Sequence, residues 1–244
     1  MANPIFDPRT FSMRYLKLLL LLLLFAMKAQ AQFFVGYTGA HCNPRELNRE
    51  IYIYNAINAP KKKMSDVHWL QGPSIGFRTP GNVYFELQYS RKKGMVKSEF
   101  DSSGVVMNRE MKIYSNTYNF GCGYRSDDGW GIGGSVDFGR YKGFGRRGPQ
   151  DGLKDLPWEH LWVLDHAHIM IISVRLYLAG TVWVEKSFGN IVTLRLYSQL
   201  GFMKMPMDGL DHWMFGGDLN YGMPSQEKLS STGVTLFLNF GGKK

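Results

Sequence analysis

Most of the chain consists of short segments in which apolar and polar side chains alternate. In VYFELQYS (83–90), every second residue is apolar or aromatic, and the residues between them are mostly polar. A period of two residues is that of a β-strand with one apolar and one polar face. Segments of this kind are found at about 32–41, 70–78, 83–98, 107–124, 128–142, 165–184, 190–204 and 229–241. The pattern therefore predicts an all-β fold with eight antiparallel strands.

The connections between these segments alternate in length. The short ones lie at 79–82, 125–128 and 187–190, and the long ones at 42–69, 143–164 and 205–228. The link at 101–104 is intermediate and is expected to end a protruding hairpin. Short periplasmic turns at one end and long outer loops at the other are typical of a transmembrane β-barrel, with both termini on the periplasmic side. Apolar residues three and four apart after Pro44 also predict a short helix in the first loop, ending near Asn58.

The N-terminal region has the organisation of a secretory signal peptide. A basic stretch at 13–17 precedes an apolar run at 18–27, and Ala29-Gln30-Ala31 follows as a cleavage motif. A transmembrane anchor would need about 20 apolar residues. We therefore predict an N-terminal extension and cleaved signal peptide at 1–31 and an outer-membrane β-barrel domain at 32–244, with a mature start near Gln32. The start codon stays open between Met1 and Met13.

The two faces of the strands suit a wall between lipid and a filled interior. The apolar parity is expected to face lipid, and aromatic residues near strand ends are expected to form interfacial girdles. These aromatic residues are Trp69, Tyr124, Trp130, Tyr141 and Trp183. Alternation alone does not say which face is outside, so a secreted soluble barrel or sandwich with the faces exchanged stays an alternative. The signal peptide and the sorting of the loops favour the membrane barrel.

Three stretches resemble one protein family. QGPSIGF (71–77), FELQYSRK (85–92) and GVTLFLNF (233–240) are similar to small porin-like outer-membrane β-barrel proteins of Gram-negative bacteria. The resemblance implies an eight-stranded barrel in the outer membrane. It also implies that the barrel assembly machinery reads the last strand, with Phe240 as the aromatic end of the assembly signal. This chain departs from the pattern by adding Gly241-Gly242-Lys243-Lys244 after that residue.

Four charged residues fall on the inward parity of four different strands: Glu86, Asp137, Arg175 and Arg195. An eight-stranded barrel is just wide enough to be filled by its own side chains. Buried charges without partners are costly, so these acids and arginines are expected to pair and fill the lumen. A narrow ion path through the same residues is the alternative.

Basic residues concentrate in the connections. Without 1–31 the formal net charge falls from +9 to +6, because that stretch holds four basic residues and one acid. A secreted chain is not expected to bind nucleic acid, and outer-membrane lipid and lipopolysaccharide phosphates are the expected partners. The candidate contact residues are Lys61, Lys62, Lys63, Lys92, Lys93, Arg146 and Arg147.

The other chemistry-bearing residues form no recognisable motif. His166 and His168, near Asp165, with His160 and His212 elsewhere, suggest a metal site or the base of a lipid-modifying hydrolase or acyltransferase. No nucleophile accompanies them, and a His-x-His pair is a weak metal signal on its own. No cofactor or metal is predicted, and Cys42 and Cys122 are expected at opposite ends of the wall without a bond. The leading hypothesis is a non-enzymatic barrel that acts in a structural, adhesion or accessory role through its outer loops. A narrow porin-like channel and a lipid-modifying enzyme are the alternatives.

Overall fold

The computed structural model describes residues 31–161, 177–206, 210–215 and 226–241. Strands make up most of this part of the chain, and two α-helices and a short 3-10 helix lie in the connections. In chain order the elements are β1 Gln32–Cys42, α1 Arg45–Asn58, β2 Trp69–Arg78, β3 Val83–Ser102, β4 Val105–Arg125, β5 Trp130–Pro149, the 3-10 helix Gln150–Asp155, β6 Glu159–His160, β7 Tyr177–Phe188, β8 Val192–Gly201, β9 Met205–Pro206, α2 Leu210–Phe215, β10 Gln226–Glu227 and β11 Ser231–Phe240.

Eight of these strands close into a ring. Its order is β1, β2, β3, β4, β5, β7, β8 and β11, and every neighbouring pair is antiparallel. β11 returns to β1, with Phe33 opposite Phe240 and Cys42 opposite Ser231. Closure leaves no unpaired sheet edge in the ring, as a strand in lipid requires. The predicted eight-stranded antiparallel barrel is therefore confirmed.

The strands differ in length on the two sides of the barrel. β1, β2, β7, β8 and β11 have 10–12 residues in the described part, whereas β3, β4 and β5 have 20, 21 and 20. Because a membrane-spanning strand needs about 9–11 residues, the outer halves of β3, β4 and β5 extend well beyond the span. We call this three-stranded part, 91–116 with 140–149, the β3–β5 extension.

The two faces of the wall follow the predicted parity. On the outward face, Val83, Phe85 and Leu196 are 65%, 66% and 56% exposed, while the inward Glu86 and Thr193 are buried. Trp69, Tyr124 and Trp130 also face outward. An apolar outer belt around a polar interior is the arrangement of an outer-membrane β-barrel.

The girdle prediction is wrong for two of the five aromatic residues. Tyr141 and Trp183 are 9% and 3% exposed and lie inside the barrel. β5 continues to Pro149, so Tyr141 is in the middle of its strand rather than at its end. Trp183 packs beneath the Arg195 guanidinium, whose carbon lies 4.3 Å from the ring centre. Strand parity, and not distance from the strand end, decides the direction of both side chains.

A cap formed by α1, α2 and β10 covers the outer mouth. The predicted loop helix is confirmed as α1, which buries Leu47, Ile51 and Tyr54. The Tyr54 hydroxyl lies 3.0 Å from Ser98 Oγ on β3. The Glu227 carboxylate on β10 accepts a hydrogen bond from the Glu46 backbone N–H at 2.8 Å, at the N-terminus of α1, where a negative charge is favourable. The described part of the first long loop is therefore folded against the barrel as part of its core.

Arg109 of β4 fixes the second helix to this cap. It donates hydrogen bonds to the backbone carbonyls of Trp213 and Met214 at 3.4 and 2.5 Å. Its guanidinium also lies 5.1 Å from the Tyr54 ring centre. Neither helix within the described residues is long and apolar enough to cross a membrane.

Both cysteines are free thiols. Cys42 is buried at the outer end of β1, and Cys122 is exposed near the opposite end of β4. Their predicted separation is confirmed. The predicted signal peptide, with residues 1–30, lies outside the described residues.

Candidate functional site

Five charged residues close the lumen at the end that carries the short turns. These residues, the turn-end charge cluster, are Arg78, Glu86, Arg125, Glu185 and Arg195. Arg195 donates to both oxygens of Glu86, at 2.6 and 2.7 Å, and to Glu185 at 2.7 and 3.0 Å. Arg78 bonds to the same two acids, at 2.7 and 2.9 Å. Planar guanidinium groups that bridge two carboxylates are strong and rigid charge-assisted contacts.

A second polar group lies further up the lumen, around Asp137. Its carboxylate accepts hydrogen bonds from Ser135, Thr181 and, at 2.7 Å, from the Gln199 amide. The carbonyl of that amide lies 3.5 Å from Lys92 Nζ. Gln199 therefore bridges a buried carboxylate and a buried ammonium group.

These two groups leave little space inside the described part of the barrel. The mid-lumen cavity measures about 30 Å³ and is lined by Gln88, Thr117, Arg195 and Tyr197, among others. Such a volume holds about two water molecules. The cluster closes the lumen below this cavity, and the cap covers it above.

The outward face of the β3–β5 extension changes abruptly in character. Rows of paired residues run across the three strands, and the apolar rows end at Tyr89–Tyr118–Phe138. The next two rows are Arg91–Asn116–Arg140 and Lys93–Tyr114–Lys142. Further out follow Met95–Lys112–Phe144 and Lys97–Glu110–Arg146. The basic face is defined by the cations of these rows, namely Arg91, Lys93, Lys97, Lys112, Arg140, Lys142 and Arg146.

Most of these cations have no acidic partner among the residues that the structure describes. Glu110 is buried between Lys97 and Arg146, with contacts of 2.5 and 2.7 Å. The other five make no ion pair with a carboxylate in the described ranges. Aromatic rings support part of the face instead, since Lys112 Nζ lies 3.4 Å from the Trp158 ring centre and Arg91 lies 5.1 Å from Tyr114.

The crowding of positive charge affects two ionisable groups. Burial, with the neighbouring charges of Lys93 and Arg146, lowers the pKa of Lys112. For Glu110, burial alone would raise the pKa, but the hydrogen bonds from Lys97 and Arg146 outweigh it and lower the pKa. The basic face therefore carries more positive charge than its own acids balance, and an anionic ligand would relieve that repulsion.

The structure brings together some of the predicted lumen residues and separates others. Glu86 and Arg195 are paired, whereas Asp137 bonds to neutral partners within the described residues. Arg175 lies outside the described residues. Sequence reasoning missed Arg78 and Glu185, which sit near strand ends, where the period-2 pattern is short.

The predicted lipopolysaccharide-contact residues lie in different parts of the structure. Lys93 and Arg146 lie on the basic face, and Arg147 is exposed at the end of β5. Lys61, Lys62 and Lys63 are exposed further from the apolar belt than the basic face. The backbone of Lys62 forms a β-bridge with that of Glu99 near the tip of β3. The prediction for Lys92 is wrong, because its side chain is 3% exposed and points into the lumen. Sequence reasoning did not select Lys112.

The structure does not test the hypothesis that the histidines form a metal site or the base of a hydrolase. His166 and His168 lie outside the described residues, and His160 and His212 are placed in β6 and α2. Across the described ranges, no three His, Cys, Asp or Glu side chains are grouped to hold a metal ion. Phe240 ends β11 on the outward face, 6.3 Å from the ring of Phe33. Its role in assembly stays a prediction.

Comparison with known proteins gives matches among solved structures. A scan of protein-family models and a search of curated proteins found no match. Ail of Yersinia pestis, in complex with the heparin analogue sucrose octasulfate, is 9% identical with a TM-score of 0.42, over 86% of this chain and 97% of that one. Neisserial surface protein A is 10% identical with a TM-score of 0.39, over 85% and 97%. OprG from Pseudomonas aeruginosa is 8% identical with a TM-score of 0.38, over 88% and 98%.

Proposed function

We propose that this protein is a non-enzymatic outer-membrane barrel that binds phosphorylated lipid headgroups, those of lipopolysaccharide, through its basic face. The observation that carries the proposal is the change from the row Tyr89–Tyr118–Phe138 to the row Arg91–Asn116–Arg140. Aromatic residues mark the edge of the hydrocarbon layer in barrels of this kind. Cations one row further out would therefore lie at the level of the lipid phosphates.

The spacing of the cations suits a headgroup with more than one phosphate. Arg91 and Arg140 share a row, and Lys93 and Lys142 share the next. β3 and β5 are separated by β4 alone, so their backbones are about 10 Å apart. The two cations on β3 can then bind one phosphate, and the two cations on β5 can bind another. Asn116 and Tyr114 of β4 lie between them and can donate hydrogen bonds.

The closed lumen supports an accessory role rather than transport. Arg78, Glu86, Glu185 and Arg195 are each at most 5% exposed, and they block the passage in the described part of the barrel. In planar bilayers we expect no stepwise conductance from the wild-type protein. Regular single-channel steps would favour the narrow-channel alternative.

The binding test compares phosphorylated with dephosphorylated lipopolysaccharide. It also compares a variant of the basic face with a variant of a basic cluster that lies further from the apolar belt. A ligand that binds only the folded state raises the unfolding midpoint. We expect the urea midpoint of the protein in vesicles to rise when phosphorylated lipopolysaccharide is added, and to rise much less with the dephosphorylated form. The variant R91Q/K93Q/R140Q/K142Q is expected to lose this rise.

The matched control is K61Q/K62Q/K63Q, which removes a basic cluster further from the apolar belt. It is expected to keep most of the rise. An equal response of both variants, or no difference between the two lipid forms, would contradict the proposal. Comparing the lipid A and phospholipid composition of deletion and wild-type strains tests the enzyme alternative separately, because a non-enzymatic protein leaves that composition unchanged.

A further inference from the structure

The end of the barrel that carries the short turns has an open polar cavity. It measures about 600 Å³ and is bounded by the turns that follow β2, β4 and β7. We call it the turn-end vestibule. Its volume is in the range of small-molecule sites. Arg78 lines the vestibule and Arg195 lines the mid-lumen cavity, so the turn-end charge cluster lies between them.

The floor of the vestibule carries an excess of positive charge. Three arginines of the cluster face two glutamates, and all four carboxylate oxygens already accept hydrogen bonds. Arg125 makes one of these bonds, at 2.7 Å to Glu185, and its side chain is 20% exposed.

Two guanidinium donors of the cluster are buried beside this floor and have no hydrogen-bond partner among the described residues. Arg78 is 1% exposed, and its Nε has no hydrogen-bond partner among the described residues. The Nε of Arg125 is also buried, and it too has no hydrogen-bond partner in the described part of the chain. Unpaired guanidinium donors are well suited to a carboxylate or phosphate oxygen.

The rim has the opposite charge. Asp127 and Asp128 are exposed in the turn after β4, and both line the vestibule. Asn82 and Asn190 add amide groups, and the Asn82 amide donates to Asp127 at 3.4 Å. An entering molecule therefore meets carboxylates first and guanidinium groups below them. That order disfavours a simple polyanion and favours a ligand with both charges.

We propose that the turn-end vestibule binds a zwitterionic peptide, with the peptide carboxylate at Arg78 and Arg125 and its ammonium group at Asp127 and Asp128. This site is distinct from the basic face and lies at the opposite, periplasmic end of the barrel. It goes beyond the proposed lipid binding, and neither inference depends on the other.

The test uses alanyl-alanine as the probe and the full barrel in detergent micelles. Nitrogen-15 NMR observes the arginine Nε–H groups directly. We expect the dipeptide to shift the Nε–H signals of Arg78 and Arg125 in a saturable way. The C-terminal amide of the dipeptide is expected to bind about tenfold more weakly, and the N-acetyl form is also expected to bind more weakly. No saturable shift, or equal binding of the dipeptide and its amide, would overturn the proposal.

Two binding variants and one control locate the two charged ends of the peptide. R125Q should abolish the shift of the Arg78 signal, but it also removes a bond of the charge cluster, so the test that is independent of folding is D127N/D128N. D127N/D128N changes only exposed turn residues and should weaken the dipeptide while leaving the N-acetyl form unaffected. R147Q, at the outer end, is the control and should bind like the wild type. If D127N/D128N binds the dipeptide normally, the proposed position of the ammonium group is wrong.

Peptides with this chemistry can be free in the periplasm or part of the cell wall. Co-sedimentation with insoluble peptidoglycan separates the two sources. Sedimentation that alanyl-alanine reverses identifies wall peptides as the ligand. Binding of the dipeptide without sedimentation identifies free peptides.

Discussion

Replacing Glu185 with glutamine is expected to destabilise the barrel more than any other single loss of charge in the cluster. The Glu185 carboxylate accepts bonds from three arginines and from the Tyr84 hydroxyl, at 2.7–3.3 Å. Glutamine keeps one acceptor oxygen but adds an N–H₂ group that faces guanidinium donors. The cluster changes from three cations with two anions to three cations with one.

The magnitude follows from the burial of the group. Removing one partner of a buried ion pair costs about 3–5 kcal/mol, because it leaves uncompensated buried charge. Arg125 is partly exposed and can be solvated, so we expect the lower part of that range, about 3 kcal/mol. The assay is urea unfolding in vesicles, followed by tryptophan fluorescence and by the faster gel mobility of the unboiled folded barrel.

Two comparison variants make this prediction specific. Glu99 forms a surface pair with Lys61 at 3.9 Å, so E99Q should change stability by at most about 1 kcal/mol. R78Q/E185Q restores the original charge balance and should be less unstable than the sum of its single variants. A loss below about 1 kcal/mol for E185Q, or strict additivity in the double variant, would refute the view that the cluster acts as one buried ion network.

Further predictions concern the basic face, the wall and the cap. The pKa of Lys112 is lower in the folded than in the unfolded protein. The charged side chain therefore destabilises the fold below the folded-state pKa, and this cost disappears as pH rises through the ordinary lysine pKa of about 10.4. K112Q should therefore raise the urea midpoint at pH 7 without lipopolysaccharide, and this gain in stability should vanish at high pH. The same variant should weaken lipopolysaccharide binding. A Cβ at Gly133 would lie 2.5 Å from the Trp183 ring, so G133A should cost about 1–3 kcal/mol. G152A, with nothing within 4 Å of the new carbon, should stay within about 0.5 kcal/mol in the same urea assay. R109L should release α2, so that limited proteolysis cuts the cap faster while the barrel keeps its gel mobility; unchanged cleavage would contradict the anchoring role.

Period-2 alternation predicted the fold because lipid imposes a strong contrast between the two faces of each strand. Outward apolar residues such as Phe85 and inward polar residues such as Glu86 were assigned correctly for that reason. The pairing of Glu86 with Arg195 required only that both face a narrow lumen. Alternation therefore indicated part of the charge cluster without any knowledge of strand order.

The contrast disappears where the strands leave the membrane. In the β3–β5 extension the outward residues are charged, so within the predicted strand 83–98 the run Arg91-Lys92-Lys93 has no apolar residue that distinguishes the outward from the inward side. This is why the sequence predicts Lys92 on the surface although its side chain points into the lumen. The rows of the basic face depend on register between strands, which pairs Lys93 with Tyr114 and Tyr114 with Lys142. Spacing within one strand contains no information about that register.

The boundary between the apolar belt and the basic face is the most direct test of the account. Nitroxide labels would be placed singly at positions 87, 89, 91 and 93, in protein whose two native cysteines are replaced by alanine, and their exposure to oxygen and to a water-soluble nickel reagent measured in bilayers. We expect labels at positions 87 and 89 to be accessible to oxygen and protected from the nickel reagent. The label at 93 is expected to be accessible to the nickel reagent and less accessible to oxygen. Protection from nickel at 93 would place Lys93 within the hydrocarbon layer and contradict its proposed role at the lipid phosphates. Access of nickel at 87 would contradict the membrane span itself.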